Sequence, residues 1–249
     1  MTCKNCNNEF DGKFCNNCGQ SSKVQRINSK YLRNSIADDF FQINHGFLYT
    51  AKNLLVRPGK SLKEFFSGER KNFYKPFAFL LISTTIFLFS TRLIGNKTFI
   101  DDFTGGIRLA LSEKKDIIAD FSVLDFITNN QTFIFVFIVP LFSTASFIAF
   151  RKAKLNFSEH LVLNLYITGE QLLIYSLFSF ITDRDSLLTV LPLVLGFLFN
   201  LYVYNRFFNE INWLKRNFRF ISTYFIYVIF ISIFLMTLII ITTANIGYK

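Results

Sequence analysis

Residues 220–241 read FISTYFIYVIFISIFLMTLIII, and this stretch decides the fold class of the chain. None of its side chains is charged, and a helix of about 20 apolar residues crosses the roughly 30 Å of hydrocarbon in a bilayer. A helix that is apolar on every face belongs in lipid or deep inside a large protein. The stretch therefore predicts a transmembrane helix.

Four other stretches share this character and bring the predicted spans to about five. The five spans are residues 76–94, 132–150, 161–181, 187–204 and 220–241. The overall composition agrees, with 51% hydrophobic residues and a mean hydropathy of +0.33 over 249 residues. We expect an all-α polytopic membrane protein with a transmembrane domain over residues 76–249.

The positions of the basic residues predict an orientation. The chain has 27 Lys and Arg, and 20 of them fall in residues 1–75, 151–160 and 205–219. Lys and Arg are enriched in cytoplasmic loops, so these three segments are predicted to lie on the cytoplasmic side. Five crossings then place the N-terminus in the cytoplasm and the C-terminus outside. Abundant Phe, Asn, Ile and Lys are typical of an AT-rich bacterial genome, which favours a bacterial cytoplasmic (inner) membrane.

All four cysteines lie near the N-terminus in two C-x-x-C pairs, Cys3 with Cys6 and Cys15 with Cys18. Two facing pairs complete the tetrahedral shell of four thiolates that structural zinc prefers, and a reducing cytoplasm favours metal over disulfides. The intervening Asp-Gly dipeptide, residues 11–12, is typical of a two-residue hairpin turn. We predict a zinc ribbon over residues 1–22 with a structural zinc ion, and iron or a redox dithiol remain as alternatives.

Residues 23–75 connect the predicted ribbon to the first span. Apolar residues between positions 31 and 55 recur at alternating spacings of three and four, which predicts an amphipathic helix. This helix either lies on an anionic leaflet or packs on the ends of the spans. A basic and aromatic collar follows, whose predicted contacts with lipid or a partner come from Arg57, Arg70, Lys71, Tyr74 and Lys75.

Several of these stretches together resemble one known family. They are Cys18-Gly19-Gln20, Gly46-Phe47-Leu48-Tyr49-Thr50, Arg57-Pro58-Gly59, and Phe66-Ser67-Gly68-Glu69-Arg70 leading to Tyr74 and Pro76. The chain resembles an uncharacterised bacterial family, filed as a domain of unknown function, whose members join an N-terminal zinc ribbon to several membrane helices. The resemblance covers roughly residues 1–80. It implies an architecture and brings no known activity.

Glu170 lies near the middle of the third predicted span. A carboxyl group at that depth is costly, so it indicates either an ion or proton pathway or a hydrogen-bonded contact between helices. Gln171, Asn164 and Asn200 are the other intramembrane polar candidates. The alternative to a functional role is that Glu170 is protonated and stabilises the helix packing.

The sequence contains no recognised catalytic signature, and we predict no catalytic residue. Motifs for phosphate-binding loops, zinc proteases and serine hydrolases are missing. Asp116 and Asp120, in the loop after the first span, would share a helix face and could serve hydrolysis or bind a divalent cation. An amphipathic helix with its polar face in water explains them more simply.

Our leading hypothesis is a non-enzymatic scaffold or interaction protein that docks a protein partner or lipid through its cytoplasmic zinc ribbon. The first alternative is a small transporter or channel subunit that uses Glu170, in which the chain forms a homo-oligomer. The second is a membrane enzyme acting on lipid or envelope substrates. Nucleic acid is a weaker candidate partner, because the nearby basic residues suit a solvated or headgroup-facing surface.

Overall fold

The computed structural model describes residues 1–37, 46–112, 121–180 and 190–246. Within these ranges the chain is helical and contains no β-strand, only two isolated β-bridges near the N-terminus and a short 3-10 helix at Arg151–Ala153. The α-helices are α1 Ser29–Ala37, α2 Gly46–Val56, α3 Pro58–Ser67, α4 Pro76–Leu93, α5 Phe99–Ser112, α6 Ser122–Asn129, α7 Gln131–Ala149, α8 Phe157–Phe178, α9 Leu191–Phe207 and α10 Trp213–Ile246.

Four helices among the described residues are long and apolar enough to cross a membrane. They are α4, α7, α8 and the Trp213–Thr237 part of α10. They coincide with four of the five predicted spans, which confirms the helical membrane fold class. Two begin earlier than hydropathy predicts, α8 at Phe157 and α10 at Trp213, because a helix continues past the hydrocarbon into charged sequence.

The fifth predicted span corresponds to α9. Its 17 residues extend about 26 Å at 1.5 Å per residue, which is less than the hydrocarbon thickness, and residues 187–189 of the prediction lie outside the described ranges. The helix nevertheless runs antiparallel beside α8: Gln171 donates to the Gly196 carbonyl oxygen at 2.7 Å, and Tyr204 donates to Asn164 at 2.9 Å. The fifth crossing stays a prediction, with α9 packed as a member of the bundle.

Helix α8 lies at the centre of the bundle, in contact with α4, α7 and α9. Its first turn is closed by a capping box, in which Asn156 accepts from the Glu159 amide and Glu159 accepts from the Asn156 amide. Gly169 allows α4 to approach closely, since a Cβ there would lie 2.7 Å from a ring carbon of Phe79. Helix α10 covers α7 and α9 and is largely exposed along its apolar length, as a lipid-facing helix should be.

The three basic segments meet at one end of the bundle. Phe150, after α7, stacks on Phe208, after α9, with ring centroids 4.4 Å apart. The N-terminal segment reaches the same end, where Arg26 pairs with Glu159 at the start of α8. This common end agrees with the grouping that the charges predict.

Helices α1, α2 and α3 pack on this end of the bundle. The predicted amphipathic helix corresponds to α1 and α2, while the residues between them, including Asp38, Gln42 and His45, lie outside the described ranges. Helix α2 packs on α4 and α8, with its Thr50 hydroxyl accepting from the Tyr74 amide at 2.7 Å. Helix α3 ends at a glycine, Gly68, whose φ of 116° is left-handed.

At the opposite end, α5 and α6 pack together between α4 and α7. Arg108 forms an ion pair with Asp125, and the Thr98 hydroxyl bonds to both Asp101 and Gln131. The acidic pair singled out in the sequence, Asp116 and Asp120, lies outside the described residues.

Candidate metal centre and buried polar residues

The side chains of the four cysteines lie together, although the two C-x-x-C pairs are nine positions apart in the chain, from Cys6 to Cys15. Their sulfur atoms all lie within 4.8 Å of one another, with 3.6 Å between Cys3 and Cys18 and 3.6 Å between Cys6 and Cys15. A tetrahedron with Zn–S bonds near 2.3 Å has sulfurs about 3.8 Å apart. The four sulfurs are therefore close enough together to hold one metal ion.

The two halves of this module repeat the same backbone turn with an offset of twelve residues. The Cys3 amide donates to the Asn8 carbonyl oxygen and the Cys15 amide to that of Gln20, at 2.9 and 2.8 Å. The β-bridges Thr2–Glu9 and Phe14–Ser21 close each half. The observed ladder bonds thus lie within each half, whereas the Asp-Gly dipeptide suggested a hairpin between them.

The thiol groups differ in acidity. The Cys18 amide donates to the Cys15 sulfur and lowers the pKa of Cys15 to about 6, while burial raises the pKa of Cys18 to about 11. A bound cation favours the thiolate form of all its ligands. Four thiolates suit a soft or borderline metal such as zinc or iron, and they fill a tetrahedral shell without a vacant position for substrate. A closed shell of this kind is typical of structural metal sites.

The cysteine module docks on the turn after α3. The Gln20 side chain donates to the Gly68 carbonyl oxygen and accepts from the Arg70 amide, both at 3.0 Å, and is 5% exposed. Asn5 accepts from the Lys71 amide at 3.2 Å. Two of the stretches on which the family resemblance rests, Cys-Gly-Gln and Phe-Ser-Gly-Glu-Arg, therefore bind each other.

The predicted collar residues contribute to packing at this same end. Arg70 lies over the rings of Tyr31 and Phe65 and donates to the Phe65 carbonyl oxygen at 3.0 Å, and burial lowers the pKa of its guanidinium. Arg57 pairs with Glu64 at 2.9 Å. Contacts of these two residues with lipid or a partner stay a prediction.

The remaining collar residues precede α4. The ring of Tyr74 is buried, which raises its pKa, and its carbonyl oxygen accepts from the Tyr166 hydroxyl at 2.5 Å. The side chain of Lys71 lies near Gly19 of the cysteine module. The backbone of Lys75 accepts from the Phe79 amide in the first turn of α4.

A second tie joins the N-terminal segment to α8. The Arg26 guanidinium donates to both carboxylate oxygens of Glu159 at 2.7 Å and to the Lys154 carbonyl oxygen at 2.7 Å. The Glu159 side chain is 6% exposed and raises the pKa of Arg26 through this bond. Asn156 donates to the carbonyl oxygen of Ile27, which is itself buried.

Inside the bundle, Asn164 is the centre of a polar cluster that connects three helices. Its amide nitrogen donates to Ser143 and Ser146 of α7, and its oxygen accepts from Tyr204 of α9. The Ser146 hydroxyl also bonds to Nδ1 of His160 at 2.9 Å, and all these side chains are buried. Interhelical hydrogen bonds of this kind stabilise helix association in lipid.

The other intramembrane candidates do not join that cluster. Glu170 is 3% exposed, and its Oε2 has no hydrogen-bond partner among the described residues. Asn200 donates to Tyr224 of α10 at 2.9 Å, and Gln171 donates to the backbone of α9 as described above. The four candidates therefore make separate contacts: Asn164, Glu170 and Gln171 lie on α8, whereas the Asn200 contact joins α9 and α10.

Sequence reasoning missed His160, Ser143, Ser146 and Tyr204. His160 precedes the predicted third span and reads as part of the loop, and single Ser or Tyr residues in an apolar span carry little signal. Spacing on α8 offered one signal, because His160 and Asn164 are four residues apart and therefore share a helix face.

Residues 44–88 match the model of a family described as "Protein of unknown function (DUF3667)". The match includes α2, α3 and the first part of α4, and it contains three of the four stretches on which the resemblance rests. The cysteine module precedes it. Comparisons with curated proteins and with solved structures find no match.

Proposed function

We propose that the chain is a non-enzymatic integral membrane protein that docks a protein partner through its metal-bound N-terminal module. The observation that supports this function is that the ring of Phe14 is exposed on a module whose position is fixed by contacts with the rest of the chain. This ring is 64% exposed at the outer side of the module, whereas the neighbouring Phe10 is 8% exposed and packs with Cys3 and Cys15. Exposed aromatic rings on rigid supports are typical anchors of protein interfaces.

Two contacts support a rigid presentation of this ring. Gln20 holds the module on the Gly68 turn, and Arg26 holds the following segment on Glu159. A module that is already held in place loses little conformational freedom when a partner binds, so the entropic cost of binding is small. Closed metal coordination agrees with a non-enzymatic role for the module.

Site-specific photo-crosslinking in living cells tests this function. A photoreactive phenylalanine analogue at position 14 is expected to form one defined adduct with a membrane or cytoplasmic protein. The same analogue at Phe225, also exposed but within the apolar part of α10, is the matched control and should give lipid adducts without that band. Absence of a protein adduct at position 14, in cells where the chain is inserted and metal-loaded, contradicts the docking function.

The predicted orientation belongs to this proposal. The end that holds the cysteine module, the α7–α8 loop and the α9–α10 loop carries most of the basic residues and is proposed to face the bacterial cytoplasm. A reducing compartment there keeps the thiolates available for metal. Zinc is the proposed ion, which elemental analysis of the purified chain identifies directly at one equivalent per chain.

A second candidate function rests on Glu170. A nearly fully buried carboxyl group with an unpartnered oxygen, inside a helix long enough to span, fits an ion or proton pathway. Flux through liposomes that contain the purified chain tests this function. Transport that Glu170→Gln abolishes supports it, whereas equal leakage from empty liposomes contradicts it.

A further inference from the structure

A groove with charged residues on its walls lies between α3 and the end of α9, on the same end of the bundle as the cysteine module. Its volume is about 430 Å³. The lining residues are Gly59, Lys60, Lys63, Glu64, Ser67, Glu69, Arg206 and Asn209. None of these residues belongs to the predicted metal centre or to the intramembrane polar cluster.

Positive charge prevails in the groove. Lys60, Lys63 and Arg206 are basic, and of the two acidic lining residues Glu64 is already paired with Arg57 at 2.9 Å. Arg57 is not among the lining residues, so it neutralises the Glu64 carboxylate without itself contributing to the groove. An anion that enters the groove meets three cations, the Glu64 carboxylate, which is paired with Arg57 and lies 3.9 Å from Lys60, and the carboxylate of Glu69. The lining therefore carries one net positive charge.

The groove has fixed walls. Gly59, at the beginning of α3, lies directly against α9, since a Cβ there would approach Arg206 Cβ at 2.5 Å and its backbone carbonyl carbon at 2.7 Å. Lys63 donates to the Asn209 side chain at 2.6 Å and links the two helices again. The cations are therefore held on two packed helices, which reduces the entropic cost of binding.

The end of α9 that borders the groove carries residues typical of lipid-headgroup depth. Arg206 follows the apolar run of α9, and its guanidinium lies over the ring of Tyr202 at 5.5 Å. Tyr and Arg at the end of an apolar helix are typical of the membrane–water boundary. The first turn of α3, with backbone N–H groups of Gly59 and Lys60 that lack partners within the helix, adds a favourable field for an anion.

We infer that this groove binds the phosphate group of an anionic phospholipid, with Lys60, Lys63 and Arg206 as the recognising cations. The acyl chains extend from it along α9, whose apolar residue Leu198 is exposed on the bundle surface. The site selects the charge of the headgroup, because a zwitterionic lipid brings its own cation to a groove that is already basic. This site is independent of the protein partner proposed above.

Native mass spectrometry of the delipidated full chain tests the site. Phosphatidylglycerol is titrated into the detergent-solubilised chain and into the variant Lys60→Ala/Lys63→Ala/Arg206→Ala. The variant is expected to bind it about tenfold more weakly or worse. Lys60→Ala alone, which removes an exposed side chain and leaves the packing intact, should give a smaller loss in the same direction and covers the case in which the triple variant does not fold.

Three comparisons decide the outcome. The variant Lys13→Ala/Lys152→Ala/Lys215→Ala removes three exposed cations elsewhere on the chain and should bind phosphatidylglycerol like the native chain. Phosphatidylcholine should bind more weakly than phosphatidylglycerol, and sn-glycerol 3-phosphate should compete weakly. Equal binding of the two lipids, equal losses in both triple variants, or competition by glycerol phosphate at the affinity of the lipid overturns the inference.

Discussion

At the scale of single residues, the cysteines decide whether the N-terminal module folds. About twenty residues bury too little apolar surface to fold without a metal ion or other crosslink. Cys15→Ser is expected to abolish stoichiometric metal binding and to expose residues 1–22 to proteolysis. Elemental analysis and limited proteolysis measure both effects.

The matched control for this prediction is Asn16→Ser, an exposed neighbour outside the sulfur shell. A chelator should reproduce the cysteine variant in the native chain. Protection of residues 1–22 from protease after complete removal of metal would show that the module folds by another means.

Arg26 should stabilise the chain through its bond to Glu159. Replacing it by alanine leaves the nearly buried Glu159 carboxylate with the Asn156 amide as its remaining hydrogen-bond donor among the described residues. Because the Arg26 side chain is two-thirds exposed, we expect a loss of only about 1 kcal/mol in the free energy of unfolding. Chemical unfolding in detergent measures the loss.

The variant Arg26→Lys distinguishes the contribution of the positive charge from that of the two parallel hydrogen bonds to Glu159. It retains the charge but cannot form two parallel bonds to the carboxylate, so an intermediate loss is expected. An unchanged unfolding free energy in Arg26→Ala would mean that the bidentate pair contributes nothing measurable.

Residue identities could be predicted from the sequence where a short motif carries the chemistry. The two C-x-x-C pairs identified all four cysteines because each pair lies within one turn. The Arg26–Glu159 bond could not be predicted, since its partners are 133 positions apart and single charges carry no pairing signal. His160 was missed because a single histidine outside the predicted span likewise gives no indication of its partner, Ser146.

At the scale of helices, the contact between α3 and α9 depends on the absence of a side chain at Gly59. In Gly59→Ala the added Cβ would overlap the Arg206 backbone, so the two helices must separate. We expect a loss of about 1–3 kcal/mol in the free energy of unfolding. Thermal unfolding of the purified chain is the measurement.

Gly105→Ala in α5 is the matched control. Nothing lies within 4 Å of its ideal Cβ, so the substitution should stabilise the helix slightly through the higher helix propensity of alanine. Equal effects of the two substitutions would contradict close packing at Gly59.

Helix positions followed from hydropathy more reliably than helix ends. The first predicted span and α4 both begin at Pro76, because proline suits the first turn of a helix. The start of α10 was predicted seven residues late. Hydropathy locates the hydrocarbon, whereas a helix with Lys215, Arg216 and Arg219 in its first turns extends beyond it.

At the scale of the whole molecule, the number of crossings decides the side on which the C-terminus lies. Five crossings place the two termini on opposite sides, and four place them on the same side. Because α9 packs antiparallel to α8 along its length, we expect five. Alkaline phosphatase fused after residue 249 should be active, and the same enzyme fused after Lys154 should be inactive.

A green fluorescent protein reporter gives the complementary control, since it is expected to fluoresce after Lys154 and stay dark after residue 249. Fluorescence at both positions would mean that α9 does not cross. The cysteine module would then still share a compartment with the α7–α8 loop, because Arg26 contacts Glu159 directly.

The attachment of the cysteine module to later parts of the chain imposes an order on biogenesis. The module leaves the ribosome first, yet Gln20 bonds a turn 48 residues downstream, and Arg26 bonds a helix 133 residues downstream. The module can bind its ion early, but the bond between Arg26 and Glu159 cannot form until α8 has entered the bilayer. If the ion is lost during that interval, the helix bundle would form without a folded cysteine module docked on it.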